Sequence, residues 1–378
     1  MPRSEPKPQQ FLGRFAGVWL APLSVLVALM IAEGVLRQFP GLMPEEAQLR
    51  LLWRQQATAT SIGDSYLGYV YPAHIQAEFG TGPARFSVVS DENGFRNAAP
   101  WPERARIVVV GDSLTYGWGV AADESWTALL EKQLGEGRVI TLGLPGAVPQ
   151  QYTRYLEQYG VGLLPEIMIY GIFSGNDFQE SVKFEHWLAE GAPGNYAVWN
   201  YFEGDIPSRA AGWLEHGHLP ILAKYMSKNF RNLYASTTLK FSDGERLQLA
   251  PSILTSAIKE SRTGSDGLRN VMRATLEARK LAQLVGSQFV VLLFPTKEEI
   301  YLPLRGTDFP SLFAPLISEL QAAGIPYIDL SHRYTELAAK DVRLYFEIDT
   351  HPNAYGNQVI ADLVEEFLTD DFTAATPR

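Results

Sequence analysis

The chain has 378 residues, of which 46% are hydrophobic, so it is long enough for one large domain with additions and can fill a substantial core. Its formal net charge of −10 argues against binding to nucleic acid or to an anionic surface. It contains no cysteine, which excludes thiolate metal sites, thiol catalysis and disulfides.

The amino-terminal region contains an apolar stretch, Phe15 to Ala32, of 18 residues without a charge. It is about long enough to cross a bilayer core once Gly34 to Leu36 extend it. Basic residues precede it and acidic residues follow it, so the positive-inside rule leaves the amino end in the cytoplasm. A cleaved signal peptide is the alternative, but the apolar end has no clear Ala-x-Ala site. We expect residues 1–37 to form a cytoplasmic tail and an uncleaved membrane anchor, with the rest of the chain on the periplasmic or extracytoplasmic side.

Residues 38–104 mix prolines, glycines and aromatic residues, and Asn93-Gly94 within them is a turn signal. We therefore expect a small β-rich segment that packs on the main domain. Arg96 in this segment is expected to form a surface salt bridge, and contact with an anionic substrate is the alternative.

The β-branched run Ile107 to Val110 predicts a strand that is buried on both faces. Gly111-Asp112-Ser113-Leu114 follows it, and apolar residues at helical spacing between Glu124 and Leu134 predict a helix. Ser113 therefore lies in a strand-to-helix connection at the carboxyl edge of a sheet, where an α/β fold can hold a nucleophile. A second Gly-Asp-Ser, Gly63 to Ser65, does not follow a buried strand and predicts a turn.

Two further predicted strands end in glycine-containing turns. Val139 to Leu142 precedes Gly143-Leu144-Pro145-Gly146, and Glu166 to Phe173 precedes Ser174-Gly175-Asn176-Asp177. The chain then makes a long excursion, about residues 178–251, whose size is typical of a lid or a substrate wall. Its aromatic rings either stack on sugar rings or pack the excursion itself, and they are Phe184, Trp187, Tyr196, Trp199, Tyr201, Phe202 and Trp213.

The remaining chain predicts a helix over 266–285, strands over Phe289–Phe294 and Pro326–Leu330, and a closing helix over Ala354–Leu368. This alternation of strands and helices favours a doubly wound parallel sheet with helices on both faces. The sequence Asp349-Thr350-His351 stands just before the closing helix.

The four blocks resemble those of the SGNH, or GDSL, family of serine esterases and acyltransferases. The serine, glycine, asparagine and histidine of the family match Ser113, Gly146, Asn176 and His351. The resemblance implies a three-layer α/β/α sandwich with a five-stranded parallel flavodoxin-like sheet in residues 105–378, preceded here by one transmembrane helix. It also implies an oxyanion hole made of the Ser113 and Gly146 backbone N–H groups and the Asn176 amide. The α/β-hydrolase elbow, the Walker loop and the His-Glu-x-x-His motif are absent from the sequence.

A serine hydroxyl becomes an effective nucleophile when a base takes its proton, and an imidazole does this near neutral pH. His351 is therefore the predicted base, and a carboxylate would fix its tautomer. The family usually has Asp-x-x-His, but the residue three before His351 is Ile348. A related branch, which includes polysaccharide O-acetyltransferases, uses Asp-x-His. Asp349 is our prediction for the acid, and the alternatives are Glu347 or a Ser-His dyad without a carboxylate.

Together these residues predict a serine esterase that cleaves O-acyl groups, with acetyl as the expected group, from an extracytoplasmic glycan through an acyl-Ser113 intermediate. Transfer to a sugar hydroxyl would make the protein a polysaccharide O-acetyltransferase, and a non-catalytic binding or scaffold module is a second alternative. No cofactor and no metal are expected. The expected partners are an acylated small molecule or glycan and the membrane, and nucleic acid is not expected.

Overall fold

The structure is a computed structural model, and it describes residues 9–44, 47–48, 51, 60–79, 86–98, 100–135, 139–202, 217–223, 226 and 237–370. The chain divides into two compact units. The first unit is formed by Met1–Gln55 with Gly204–Arg231, and the second by Gln56–Glu203 with Asn232–Arg378.

The first unit contains a long helix, α1 (Gln9–Gln38). The predicted membrane segment, Phe15–Ala32, falls within this helix, whereas residues 1–8 of the predicted tail lie outside the described residues. Judged on the described residues, no helix is both long enough and apolar enough to cross a membrane. The Glu33 carboxylate accepts backbone N–H groups of His218 at 2.9 Å and Leu219 at 2.8 Å, so α1 is tied to the later stretch of the same unit.

In the part of the chain that the structure describes, three antiparallel strand pairs lie outside the main sheet of the second unit. They are β1 (Ile62–Asp64) with β2 (Gly68–Val70), β3 (Gln76–Phe79) with β4 (Phe86–Val89), and, in the excursion, Thr237–Lys240 with Arg246–Leu249. The second Gly-Asp-Ser of the chain falls at the end of β1. The Asp64 carboxylate there accepts the N–H groups of Tyr66 and Leu67, each at 2.7 Å, so this copy begins a turn between two strands.

The core of the second unit is a five-stranded parallel sheet. Its strands in chain order are β5 (Ile107–Gly111), β6 (Val139–Gly143), β7 (Ile167–Phe173), β10 (Gln288–Phe294) and β11 (Tyr327–Asp329), and between them in sequence lie β8 (Thr237–Lys240) and β9 (Arg246–Leu249). The spatial order β11-β10-β7-β5-β6 is the flavodoxin-like order, so the predicted α/β class and sheet are confirmed. Every residue of β5, β6 and β7 is buried, as expected for strands covered on both faces.

Helices flank this sheet in two groups. The helices are α2 (Ser113–Tyr116), α3 (Trp126–Leu134), α4 (Pro149–Tyr155), α5 (Asp177–Ala189), α6 (Tyr196–Phe202), α7 (Thr255–Glu260), α8 (Asp266–Leu284), α9 (Lys297–Tyr301), α10 (Ala314–Ala322), α11 (Leu330–Ala339) and α12 (Ala354–Asp370). In the first group α3 packs on α12, and in the second α8 packs on α4 and α5.

The aromatic residues of the excursion pack mainly on one another. Phe184, Trp187 and Tyr196 are fully buried, and their ring centroids lie 4.7, 5.2 and 5.5 Å apart in the three pairs. A carbohydrate platform built from these three rings is therefore wrong, because sugar cannot reach them. Trp199 is half-buried and donates from its ring N–H to Glu190 at 3.1 Å. Trp213 and the rest of 203–216 lie outside the described residues.

Candidate active site

The predicted nucleophile, Ser113, is the first residue of α2, and only Asp112 separates it from the end of β5. Asp112 is the N-cap of this short helix, and its carboxylate accepts the Leu114 N–H at 2.8 Å. A Cβ added at Gly111 would lie 2.1 Å from Thr115 Oγ1, so only glycine lets the chain leave the strand this sharply. The sequence Gly-Asp-Ser thus presents the Ser113 hydroxyl at the carboxyl edge of the sheet.

Ser113, His351 and Asp349 come together in the structure. His351 Nε2 lies 2.7 Å from Ser113 Oγ, and His351 Nδ1 is hydrogen-bonded to Asp349 Oδ1. The same carboxylate oxygen accepts the backbone N–H of His351 at 3.0 Å. A nucleophile bonded to a base that a third group orients is the arrangement needed for covalent catalysis. The side chain of Glu347 is exposed, and it is Asp349 that contacts the imidazole.

The environment of Asp349 favours its ionised form. Burial acts against the charge, but the neighbouring imidazole, two hydrogen bonds from His351 and the ammonium of Lys297 outweigh it and lower the pKa of Asp349. The carboxylate is therefore negative when the imidazole takes a proton, and it can stabilise the resulting cation.

Two further carboxyl groups are buried behind the nucleophile. Burial raises the pKa of Asp112 to about 6, although its hydrogen bond from Leu114 and the nearby imidazole act in the other direction. Burial and the charge of Asp112 raise the pKa of Asp177 well above its usual value. Asp177 accepts a hydrogen bond from the Tyr152 hydroxyl at 2.8 Å. Both carboxyls thus hold their protons more tightly than a solvated aspartate does.

We expect Asp112→Asn to stabilise the protein more at pH 8 than at pH 5. Because the folded-state pKa lies above that of the unfolded chain, the stabilisation by protonated Asp112 is complete below about pH 4 and is lost as the pH rises through about 6. A rise from 3.8 to about 6 corresponds to about 3 kcal/mol. Thermal unfolding of the two proteins at both pH values measures the difference. Asp308→Asn, at an exposed position, is the control, and an equal effect of pH on both variants would contradict the assignment.

The turns after β6 and β7 carry the other two residues of the predicted oxyanion hole. Gly146 has φ +84°, a left-handed conformation that residues with a Cβ rarely adopt. The hydroxyl of Tyr69, in β2, donates to the carbonyl of Pro145 at 2.8 Å and so fixes this turn. Because β5, β6 and β7 are adjacent parallel strands, their carboxyl ends place Ser113, Gly146 and Asn176 along one edge.

Asn176 is the N-cap residue of α5, but its side chain makes no capping hydrogen bond. Asparagine is favoured at this position because it usually caps the helix. Here its Oδ1 is buried without a hydrogen-bond partner. The side chain therefore does not serve its own helix, which supports a role of the amide as a donor to substrate.

We expect Asn176→Ala to lower kcat by about 10²- to 10³-fold, with a much smaller change in KM, because an oxyanion donor acts mainly in the transition state. The melting temperature should change little, since the side chain makes no capping bond. Steady-state kinetics with a chromogenic ester measures both constants. A kcat within threefold of the wild type would remove Asn176 from the oxyanion hole.

Two residues that sequence analysis did not place in the site lie next to it. The buried guanidinium of Arg96 donates to the carbonyls of Tyr116 (3.1 Å), Gly117 (2.7 Å) and Val120 (2.9 Å). The predicted surface salt bridge of Arg96 is therefore wrong, because the guanidinium is buried and bonded to backbone carbonyls. The loop that it holds carries Trp118, whose ring centroid lies 5.9 Å from that of His351. No sequence motif signals either contact.

The site has the parts of an acyl-transfer centre. Among the residues that the structure describes, no group of three or more His, Cys, Asp or Glu side chains is placed to hold a metal ion. In a hydrogen-bonded array of serine, imidazole and carboxylate, the serine oxygen can attack an ester carbonyl while the imidazole takes its proton.

Comparison with known families decides the relationship. The model of the GDSL-like lipase/acylhydrolase family matches residues 109–359, from within β5 to within α12. The chain belongs to the GDSL-like lipase/acylhydrolase family. The match includes Ser113, Gly146, Asn176 and His351. Acylhydrolases of this family act on ester bonds, so the family points to an ester-bond hydrolase.

Several solved structures are similar to this GDSL-family chain at low sequence identity. A GDSL-like lipase from Bacteroides thetaiotaomicron is 12% identical, with 73% of this chain and 93% of that chain covered and a TM-score of 0.36. A psychrotrophic esterase from Pseudoalteromonas is 13% identical, with 71% and 98% covered and a TM-score of 0.35. Phospholipase A1 from Streptomyces albidoflavus is 13% identical, with 69% and 98% covered and a TM-score of 0.36. No curated protein sequence matches the chain.

Proposed function

We propose that this GDSL-family protein is a serine esterase that cleaves O-acyl esters through an acyl-Ser113 intermediate. The observation that carries the proposal is the 2.7 Å contact between Ser113 Oγ and His351 Nε2. As Oγ bonds to the acyl carbon, the imidazole takes its proton, and it then gives that proton to the leaving alcohol when the ester C–O bond breaks. Asp349 holds the ring in the tautomer that accepts at Nε2.

The second half-reaction repeats these steps with a new nucleophile. A water molecule or a sugar hydroxyl loses its proton to His351 and attacks the acyl carbon, and Ser113 leaves with that proton. During both attacks the carbonyl oxygen becomes negative, and the backbone N–H groups of Ser113 and Gly146 with the Asn176 amide would stabilise it.

The substrate that we propose is an O-acetylated glycan outside the cytoplasm. The short Asp-x-His spacing supports it, because the branch that includes polysaccharide O-acetyltransferases shares this spacing, and in this protein Asp349 does contact His351. An anchoring role of α1 is also part of the proposal. It is supported by the uncharged stretch Phe15–Ala32 and by large apolar side chains that α1 exposes, namely Leu23, Val25, Leu26, Leu29, Met30 and Ile31. Removal of residues 1–37 should release the protein from the membrane fraction.

The test uses a chromogenic acetyl ester with and without an acceptor oligosaccharide, and it measures released chromophore and free acetate separately. An esterase releases both in equal amounts. A polysaccharide O-acetyltransferase, the second candidate on the same spacing argument, releases more chromophore than acetate when the acceptor is present, because the first half-reaction is shared. No chromophore release and no labelling of Ser113 by a phosphonate ester would instead favour a non-catalytic module.

A further inference from the structure

A buried lysine lies beside the loop that carries the predicted acid and base. Lys297, the first residue of α9, is 3% exposed. Its ammonium donates to three successive backbone carbonyls, those of Glu347 at 3.4 Å, Ile348 at 2.8 Å and Asp349 at 3.1 Å. Burial of an ammonium is costly unless hydrogen bonds compensate it. The buried ammonium of Lys297 is therefore compensated by hydrogen bonds to the backbone of this loop.

The loop needs such a partner because the acid and the base are only two residues apart. Asp349 Oδ1 accepts the backbone N–H of His351 at 3.0 Å and also contacts the ring Nδ1, so the chain turns tightly between them. The N–H of Phe346 closes the turn by donating to the His351 carbonyl at 3.1 Å. In this conformation the carbonyl oxygens of residues 347–349 converge, and their partial negative charges repel one another unless a cation lies among them.

We propose that Lys297 is a positioning residue that gathers the carbonyls of residues 347–349 and so makes the short acid-to-base spacing work. The proposal rests on the proposed function, since it assigns Lys297 a role through Asp349 and His351. It also explains how this chain uses Asp-x-His where most of the family has Asp-x-x-His. The ammonium has a second effect, because its charge favours the ionised form of Asp349.

The helix that carries Lys297 is fixed from several sides. Thr296 caps α9, with its Oγ1 accepting the Glu299 N–H at 3.2 Å. The hydroxyl of Tyr301, at the other end of α9, donates to the Val342 carbonyl at 2.7 Å and accepts the Leu344 N–H at 3.0 Å. Only two residues separate the end of β10 from α9, so the position of Lys297 is set by a strand of the main sheet.

The same helix also reaches the asparagine turn. The Glu299 carboxylate accepts hydrogen bonds from the Ser174 hydroxyl and, at 2.8 Å, from the Leu312 N–H. Ser174 stands where the family usually has glycine, two residues before Asn176. One short helix thus contacts both the acid–base loop and the turn of the predicted oxyanion donor.

Among the residues that the structure describes, few charged groups face the imidazole and its carboxylate. Asp112 lies behind the nucleophile and interacts with His351, and Lys297 interacts with Asp349. Glu298, next to Lys297, is buried, and its carboxylate accepts a hydrogen bond from the Ala250 N–H at 2.9 Å. The side chain of Glu347 is exposed. Loss of the Lys297 charge should therefore favour protonation of the imidazole, and the acid limb of activity should move to higher pH.

The experiment compares Lys297→Met with the wild type by kinetics and by NMR titration of the His351 ring, assigned with His351→Gln. We expect kcat to fall by about 10- to 100-fold with KM nearly unchanged, as for a small misplacement of a catalytic group. The midpoint of the His351 titration and the acid limb of kcat/KM should both rise by about one pH unit. Lys297→Arg, which keeps the charge, should leave the midpoint near that of the wild type.

Tyr301→Phe is the matched control in the same helix. It removes the bonds to Val342 and Leu344 without changing a charge, so it should lower the melting temperature and leave the titration of His351 in place. If Lys297→Met does not fold, Lys297→Gln serves the same test with a smaller change of polarity. An unchanged midpoint and acid limb in the folded neutral variant would overturn the proposal. The titration requires no turnover, so a wild type without esterase activity would reject the proposed function and still leave this result readable.

Discussion

Asp349→Asn is expected to lower kcat by about 10⁴-fold, as loss of the carboxylate does in serine hydrolase triads. The carboxylate accepts from Nδ1 and so leaves Nε2 free to take the Ser113 proton. An asparagine amide of the same shape can donate to Nδ1 instead, which stabilises the tautomer that has its proton on Nε2 and cannot act as a base. Steady-state kinetics with a chromogenic acetyl ester measures the loss.

Glu347→Gln is the matched variant for this prediction, because Glu347 is the other carboxylate that the sequence allows. Its side chain is exposed, and the loop uses its backbone carbonyl, so kcat should stay within about twofold. The reverse result would make Glu347 the acid. A loss of only about tenfold in Asp349→Asn, with Glu347→Gln unaffected, would instead favour a Ser-His dyad.

Ser113→Ala is expected to reduce kcat by about 10⁴-fold or more and to abolish covalent labelling by a phosphonate ester. Without the hydroxyl no acyl-enzyme forms, and only the donors around the carbonyl oxygen remain. The fold should be retained, since a smaller side chain fits at the start of α2. Kinetics, together with the mass of the labelled protein, measures both effects.

The chain contains its own control for the nucleophile. Ser65 follows the same Gly-Asp pair, but that pair ends β1, which belongs to a separate two-stranded sheet, and begins a turn. The Ser65→Ala variant should therefore be labelled by the phosphonate ester and should hydrolyse the chromogenic ester at the wild-type rate. Full activity of Ser113→Ala would show that another residue attacks the ester or that the activity belongs to a contaminant.

The main sheet could be predicted from the sequence because its strands are runs of buried apolar residues. Ile107–Gly111 and Ile167–Phe173 have no polar residue that alternation would place on a solvated face, and this is typical of central parallel strands. The order of the strands came from the resemblance to the GDSL family. The rings of the excursion were harder to interpret, since the same composition serves for packing and for binding sugars. The burial of Phe184, Trp187 and Tyr196 shows that these three rings pack within the protein.

The contact between Ser113 and His351 was expected because each residue falls in a family block at the carboxyl edge of the sheet. The acid could not be decided from spacing, since the conformation of residues 347–351 determines which carboxylate reaches the ring. That conformation depends on Lys297, which lies 50 residues earlier in the chain than Glu347. Lys297 and Arg96 act on backbone carbonyls, which every residue possesses, and such contacts leave no pattern of residue types at the receiving end.

The bonds that Tyr69 and Arg96 make matter for anyone who shortens this protein for crystallography or screening. Both residues precede β5, where the family match begins, yet one holds the turn of Gly146 and the other the loop of Trp118. A fragment that starts at the family boundary would retain Ser113, Gly146, Asn176, Asp349 and His351 but would lose the two residues that support the turn of Gly146 and the loop of Trp118. Truncated forms should therefore begin upstream of Gly68, and weak turnover by a shorter fragment would be a poor guide to the intact enzyme.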